Sequence, residues 1–476
     1  MAKQFKYAEN GSFGYLFSIV LVTILGGLLF GYDTAVISGA EQSLQKFFEG
    51  ATDFVYTKGM HGFTASSALI GCIIGSALSG FLASRMGRRN SLRFASLLFF
   101  LSALGSYKPE FLFFPDGVAS MQVLVAFNLY RILGGIGVGL ASAVCPMYIA
   151  EVAPAHMRGR LVSWNQFAII FGQLVTYFVN YLIRNNLGDT ADAIQSAMVA
   201  IGWRRMFLSE AVPAALFGML LFCVPKTPRF LALQGRFDES LYVLARINGR
   251  AKGESILEEI KSTLDEKKEK LTTYGITVLA VGCLLSFFQQ ACGINVALYY
   301  APRIFEQMGS SGDAAMAQTI VMGIVNILFT LVAIFTVDKL GRKPLLIIGS
   351  IGMTIGMAAL AVLSFCNVIG ITTLIFIVIY TASFMMSWGP ICWVMISEIF
   401  PNTIRSQATA IAVAVQWISN FIISSTFPSM SEWNIGATYL IYGGFALLSA
   451  LFVWKMVPET KGKTLEDMTR LWKKNR

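Results

Sequence analysis

One carboxylate lies inside the first long apolar stretch of the chain. Residues 11–32 contain no charged side chain, and Asp33 then follows within the segment GGLLFGYDTAVISG. A charged group at the centre of a bilayer costs about 2.5–3.5 kcal/mol on insertion scales, so such residues usually serve a function. Asp33 is therefore a candidate functional residue; the alternative is a plain cap of a membrane helix at the interface.

Arg131 is the candidate partner of Asp33, because it is the only charged residue between residues 117 and 150. It lies twenty residues before Glu151 at the end of one apolar run, and Asp33 lies twenty residues after Phe13 at the start of another. At about 1.5 Å per residue the two groups reach similar depths. Burial disfavours an ionised carboxylate and a nearby arginine favours it. We expect Asp33 to be the proton-coupling residue, with Arg131 modulating its proton affinity.

Amide and aromatic side chains inside the apolar runs suggest a site for a neutral polyol. Amides both donate and accept hydrogen bonds, as sugar hydroxyls require. The uncharged stretch 271–302 is longer than one span needs, so we expect a helix break at its GIN segment. The alternative is that the amides only join neighbouring helices. The candidate sugar ligands are Gln166, Gln173, Gln289, Gln290, Asn295, Tyr299, Asn326, Trp393, Gln416, Trp417 and Asn420.

The composition is that of a membrane protein. Of 476 residues, 55% are hydrophobic and only 13% are charged, against about 25% charged in typical soluble proteins. The net charge of +10 comes from Lys and Arg clustered in short connections, which indicates membrane orientation and argues against nucleic-acid binding. The two histidines and scattered cysteines form no metal-ligand motif, so we expect no enzyme and no cofactor besides the transported proton.

Twelve apolar runs are long enough for membrane helices, which need about 20 residues. Arginine and lysine in alternate connections place both termini in the cytoplasm. We predict an all-α membrane protein with membrane halves at 1–224 and 275–458, a cytosolic helical linker at 225–274 and a tail at 459–476. The predicted spans are 14–38, 62–83, 91–107, 119–149, 161–183, 204–224, 275–302, 315–337, 344–366, 370–397, 406–427 and 435–457.

An internal repeat divides these spans into two six-helix halves. RMGRR at 85–89 recurs as KLGRK at 339–343, EVAPAHMRGR at 151–160 as EIFPNTIRSQ at 398–407, and VPKT at 224–227 as VPET at 457–460. Such repeats place a substrate site near the midplane, between halves that rock against each other. Charges at the helix ends then predict gate salt bridges; plain anchoring by positive charge is the alternative. The predicted cytoplasmic gate residues are Arg85, Arg89, Glu151, Arg158, Glu210, Arg342, Glu398 and Arg405. Glu210 is also a second buried-acid candidate, near Arg204 and Arg205.

These motifs, with RILGGIGVG, QQACGINVALYYAP and GPICWVMISEIFPNTIRSQA, resemble the sugar porter family of the major facilitator superfamily along the whole chain. The resemblance implies sugar hydrogen bonds from Gln166, Gln289, Gln290, Asn295 and Gln416, aromatic contacts from Trp393 and Trp417, an outer gate at Tyr299 and a weaker role for Asn326. Proton-coupled members carry an acid at the position of Asp33, whereas passive members typically carry a neutral residue. Ser84 and Lys226 depart from the family pattern, which has acids there.

The resemblance implies a transporter that couples a monosaccharide to protons. The short loops indicate a bacterial inner membrane, and we expect a monomer. A uniporter is the nearest alternative and a transport-inactive sugar receptor a more distant one. The choice between a pentose and a hexose stays open, because pocket volume cannot be read from side-chain types.

Overall fold

The computed structural model describes residues 7–110, 115, 117–154, 157–262, 271–307, 309–368, 370–461 and 472. Every element of regular structure within these ranges is a helix. The first half contains α1 (Phe13–Glu49), α2 (Lys58–Arg85), α3 (Arg88–Tyr107), α4 (Met121–Val152), α5 (Arg158–Asn185), α6 (Ala191–Ala197), a π-helical turn (Met198–Gly202), α7 (Trp203–Ser209) and α8 (Ala211–Leu220).

The stretch between the halves is helical where it is described. It contains α9 (Pro228–Leu233), α10 (Phe237–Asn248), α11 (Arg250–Ser262) and a 3₁₀ turn (Leu271–Tyr274). The second half contains α12 (Ile276–Ala291), α13 (Ile294–Tyr299), α14 (Ala301–Gln307), α15 (Gly312–Leu340), α16 (Arg342–Phe365), α17 (Ile371–Met385), α18 (Trp388–Ile399) and α19 (Asn402–Met456).

The predicted spans all correspond to helices. Nine described helical stretches are long and apolar enough to cross a membrane. Three further spans are α3, which is short and begins with arginines, the broken pair α7–α8, and the second part of α19, which kinks at Asn434 (φ −168°, ψ 107°). Together these helices account for the twelve predicted membrane spans, so the all-α membrane fold is confirmed.

Close approach of helix backbones holds each half together. In the first half α2 packs on α4, α1 on α5 and α3 on α4, while in the second half α16 and α12 pack on α19. Gly135 of α4 allows no side chain, because a Cβ there would lie 1.8 Å from the carbonyl oxygen of Ala68 in α2. Small residues at such crossings are the usual means of packing membrane helices, since lipid offers no hydrophobic drive.

The two ends of the bundle differ. We call the end carrying Arg85, Arg88 and Arg342 the basic end, and the other the far end. The halves meet through α2 against α19 and α5 against α15. The described ion pairs that join the halves lie at the far end, where Arg184 pairs with Asp313. Gly62 of α2 there abuts the carbonyl of Ser425 in α19. The halves are therefore closed on each other at the far end.

Candidate functional site

A cavity of about 80 Å³ lies between the two halves. This is room for water molecules, since a cavity needs only about 10–15 Å³ to hold one. Helices α1 and α5 supply one wall, and α12, α13, α17, α18 and α19 supply the rest. All predicted sugar ligands except Asn326 line it: Gln166, Gln173, Gln289, Gln290, Asn295, Tyr299, Trp393, Gln416, Trp417 and Asn420.

The predicted helix break is present and forms part of the cavity wall. Helix α12 ends at Ala291, and Gly293 adopts a left-handed conformation (φ 85°, ψ 17°) before α13 begins at Ile294. The Tyr380 hydroxyl donates to the freed carbonyl oxygen of Cys292 at 2.8 Å. Irregular backbone at membrane depth is tolerated where it lines a cavity. The break turns α13 so that Asn295 and Tyr299 face the cavity.

Four amides of the second half form one hydrogen-bonded network. The Gln289 Nε2 donates to the carbonyl oxygens of Trp388 at 2.9 Å and Gly389 at 3.3 Å. Its Oε1 accepts from Gln290 at 3.2 Å and also from Gln416. Asn295 in turn donates to Gln290 Oε1. The network orients Gln289 and ties α12 to α18 and α19, so the amides are positioned before any ligand arrives.

Several polar atoms of the cavity wall have no protein partner among the described residues. They are the acceptor oxygens Oε1 of Gln173 and of Gln416, and the donor Nε1 of Trp417. Unpaired buried polar groups are costly, which favours water or ligand in the cavity. The Trp417 ring also packs against Phe30, with centroids 5.6 Å apart. The wall thus combines aromatic faces with both donors and acceptors.

Asn326 is the predicted ligand that does not line the cavity. It is buried in α15, and neither polar atom of its side chain has a partner within the described part of the chain. Selection by residue type alone cannot tell which face of a helix meets the cavity. Two wall residues that sequence reasoning missed, Ile294 and Leu298, directly precede predicted ligands, so their spacing offered a signal. The missed wall residues are Phe30, Thr34, Ile169, Ile170, Ile294, Leu298, Phe384, Met385 and Gly389.

Asp33 and Arg131 form the ion pair expected from residue counting. Arg131 Nη1 lies 2.5 Å from Asp33 Oδ1, and its Nη2 donates to the Asp33 carbonyl oxygen at 3.3 Å. Both side chains are buried, since Asp33 is 0% exposed and Arg131 is 2% exposed. The second carboxylate oxygen, Oδ2, has no partner among the described groups. Thr34, the next residue of α1, lines the cavity, so the pair lies beside it.

Glu210 was predicted as a gate residue, but the structure places it elsewhere. It is fully buried at the break between α7 and α8 and faces Asp33 and Arg131. Arg204 pairs instead with Glu110. Proximity to arginines in the sequence was misleading, because Arg204 contacts Glu110 whereas Glu210 faces Asp33 and Arg131. Glu210 therefore belongs with the buried ion pair and not with the basic end.

Two salt bridges at the basic end occupy corresponding places in the two halves. Arg342 of α16 pairs with Glu398 of α18, Nη2 to Oε1 at 3.1 Å. Arg88 of α3 pairs with Glu151 of α4, Nη2 to Oε1 at 2.6 Å. Arg88 was not among the predicted gate residues, although it aligns with Arg342 when the RMGRR and KLGRK motifs are superposed. Each bridge joins two helices of the same half.

The other predicted gate arginines make different contacts. Arg89 donates to the carbonyl oxygen of Val224 at 3.1 Å, and Arg405 contacts the carbonyl oxygen of Phe400. The Arg85 guanidinium lies over the Phe81 ring. The Arg158 side chain lies outside the described residues. Arg89 and Arg405 thus hold the backbone at helix ends.

Comparisons with known proteins agree with this architecture. Residues 19–472 match the family model of the sugar (and other) transporters. The chain is 50% identical to the D-xylose-proton symporter of Escherichia coli K12, over 96% of both chains. It is 37% identical to the arabinose-proton symporter of Bacillus subtilis, covering 98% of this chain and 96% of that one. It is also 36% identical to the glucose facilitated diffusion protein of Zymomonas mobilis, over 98% and 99%.

Solved structures give the same fold. The xylose transporter XylE of E. coli in a partially occluded inward-open conformation matches with a TM-score of 0.86, covering 95% of this chain and all of that one. Its inward-open conformation matches with a TM-score of 0.84, over 96% and 100%. Both are 50% identical in sequence. The chain belongs to the sugar transporter family.

Proposed function

We propose that this protein is a proton-coupled monosaccharide symporter, with D-xylose the favoured substrate. The observation that carries the proposal is the buried Asp33–Arg131 pair, with one carboxylate oxygen unpartnered, beside a cavity lined by amides and tryptophans. The names of the relatives support it, since two are proton symporters for pentoses.

The cavity suits a neutral sugar. The unpartnered acceptors on Gln173 and Gln416 take hydrogen bonds from sugar hydroxyls, and the Trp417 Nε1 gives one. Aromatic faces from Phe30 and Trp417 cover the apolar C–H surface of the ring. Because the pre-formed amide network holds Gln289 in place, little ordering entropy is lost when sugar binds.

Asp33 carries the coupled proton in this mechanism. A proton binds at Oδ2 when the cavity faces the outside, and neutralising the carboxylate weakens its attraction for Arg131. Glu210 then remains as the nearby acid facing the arginine. Release of the proton to the other side restores the pair. Sugar and proton thus cross together, because the rocking step that moves the sugar also changes the exposure of Asp33.

Alternating access uses the salt bridges at the ends of the bundle. At the basic end Arg88–Glu151 and Arg342–Glu398 hold helix ends together within each half. We place the basic end and both termini in the cytoplasm of a bacterial cell, by the excess of Lys and Arg there. The protein works as a monomer in the inner membrane, with the stretch 225–274 as its cytosolic linker.

Sugar accumulation against a gradient tests the proposal. Purified protein in liposomes with an imposed inward proton gradient should concentrate labelled D-xylose, and a protonophore should abolish this accumulation. Asp33→Asn should lose accumulation yet retain exchange of sugar across the membrane. Equilibration without accumulation in the unmodified protein would instead establish a uniporter. Repeating the assay with labelled glucose decides between pentose and hexose.

A further inference from the structure

A second buried group of ionisable residues lies at the far end, away from Asp33. Glu41 of α1 and His61 of α2 are both fully buried, and Glu41 Oε2 lies 2.8 Å from His61 Nε2. The other imidazole nitrogen, Nδ1, lies 3.3 Å from the Tyr56 hydroxyl. These three residues all belong to the first half of the chain.

The second half contributes a cation to the same carboxylate. Arg303 of α14 places Nη1 at 3.5 Å from Glu41 Oε2, and its Nη2 donates to Gln45 of α1. Glu41 therefore lies where the halves meet, with a histidine on its own side and an arginine on the other. The ionisable groups that face this cluster from the surrounding elements are Glu49 of α1, Tyr56 of the α1–α2 connection, Arg303 of α14 and Tyr300 just before it.

Arg303 supplies a counter-charge to Glu41 from the second half when the far end is closed. Glu49 adds a second carboxylate to the neighbourhood, through Gln45. His61 Nε2 contacts the same Glu41 oxygen from the first half, and its Nδ1 faces the Tyr56 hydroxyl. Closure at the far end thus keeps an arginine of the other half on a balance of charges that the first half otherwise supplies alone.

Opening the far end changes this balance. Alternating access, which the proposed function requires, moves α14 away from α1 and takes Arg303 from Glu41. Within the described residues, the ion-pair partners of Glu41 are His61 and Arg303. A buried carboxylate left without a counter-charge is costly, and protonation of His61 supplies one from the same half.

We propose that Glu41, His61 and Arg303 form a second proton-binding site, which takes up a proton at His61 when the far end opens. Because proton binding and opening are linked, a low pH on the side of the far end favours the open far end. A higher pH there favours the closed far end. The site acts on the conformational equilibrium and does not require that its proton be transported.

A distance measurement tests this without any transport assay. Spin labels on cysteines at Thr52 and Ala317, exposed residues of the two halves, report opening once the exposed Cys223 and Cys366 are replaced by serine. The Asp33→Asn background removes the pH response of the coupling carboxylate, while Glu210 stays the same in every variant compared. Between pH 8 and pH 5 the ratio of open to closed far ends should rise, with His61 contributing at most about tenfold per pH unit for one linked proton. In His61→Gln this contribution should vanish, so the rise should be clearly smaller.

A matched control is offered by the other far-end ion pair between the halves, Arg184 with Asp313. Asp313→Asn should shift the ratio towards open at every pH and keep its pH dependence. Glu41→Gln should reduce the dependence as His61→Gln does, and it replaces that variant if His61→Gln does not fold. A pH dependence as steep in both variants as in their parent would overturn the proposal. The readout is a distance measured in protein that lacks the Asp33 carboxylate. A negative result would therefore overturn the second proton site and not the symport mechanism, which the liposome assay tests separately.

Discussion

At the scale of single residues, the proposed coupling rests on the buried ion pair of Asp33 and Arg131. Counting from the helix ends placed Asp33 and Arg131 at one depth, and the structure pairs them at 2.5 Å. Removing one partner of a buried pair typically costs about 3–5 kcal/mol, because the other charge stays uncompensated. The position of Glu210 beside the ion pair depends on a helix break that the sequence does not reveal. Glu210 offers Arg131 a second acid. We therefore expect Asp33→Asn to fold.

Gln173 gives the cleanest test of the cavity, because its Oε1 has no partner to lose among the residues that the structure describes. Gln173→Leu should weaken D-xylose binding by about two- to twelvefold, the effect of one hydrogen bond worth about 0.5–1.5 kcal/mol. Isothermal titration calorimetry on purified protein measures the Kd.

The matched control is Asn326→Leu, which removes a buried amide outside the cavity wall. It should leave the Kd unchanged. An equal loss of affinity in the two variants would mean that Gln173 acts through helix packing and not through sugar.

At the scale of elements, the internal repeat predicted equivalent helix ends, and the structure shows where they differ. In the second half Glu459 accepts hydrogen bonds from the backbone N–H groups of Arg342 and Lys343, at 3.1 and 2.9 Å. A carboxylate there satisfies free donors and complements the helix dipole of α16. The first half has Lys226 at the corresponding place, and burial with the charges of Arg236 and Arg89 lowers the pKa of that amine. Within the described part of the chain, the N-terminus of α3 has no side-chain cap.

Glu459 should make stability depend on pH. Partial burial raises the pKa of its carboxyl, but backbone hydrogen bonds outweigh this and hold the pKa below its usual value. The ionised carboxylate therefore contributes stability above the unfolded-chain pKa of about 4.3, and the contribution disappears as pH falls through the lower folded-state pKa. Glu459→Gln should lower the Tm at pH 7, with the difference from the unmodified protein shrinking in acid.

Thermal unfolding followed by circular dichroism measures this difference. Glu254→Gln is the control, since that carboxylate forms an exposed pair with Arg250 and surface pairs contribute little. A Tm difference for Glu459→Gln that stays constant down to pH 3 would contradict the capping role.

Gly293 should resist substitution because it makes the break before α13. Its φ of +85° costs a residue with a side chain about 1–2 kcal/mol, and a Cβ would lie 2.7 Å from the Tyr442 ring. Gly293→Ala should therefore lower the Tm and weaken sugar binding, because Asn295 and Tyr299 move with α13.

Gly80 of α2 is the matched glycine, with open space where a Cβ would project. Gly80→Ala should leave the Tm unchanged or raise it slightly, as alanine favours helix over glycine. Similar Tm values for the two alanine variants would show that the break needs no glycine.

At the scale of the whole molecule, the two-half architecture followed from repeated motifs, whereas contacts between the halves did not. The spans and the repeat were readable because a bilayer imposes helix length and the motifs recur in order. Which residues meet across the interface depends on how the halves rock, so Glu41 and Arg303 gave no signal in the sequence. The same limit applies to Asn326, whose helix face is set by packing between α15 and its neighbours.

Coupled movement of sugar and protons is the property of the whole molecule on which the account rests. The most direct measurement uses pure protein in liposomes that contain a pH-sensitive dye and start without a proton gradient. An inward D-xylose gradient should acidify the interior as protons enter with sugar, and Asp33→Asn should carry D-xylose without acidification. D-xylose entry through the unmodified protein with no change of internal pH would contradict the account.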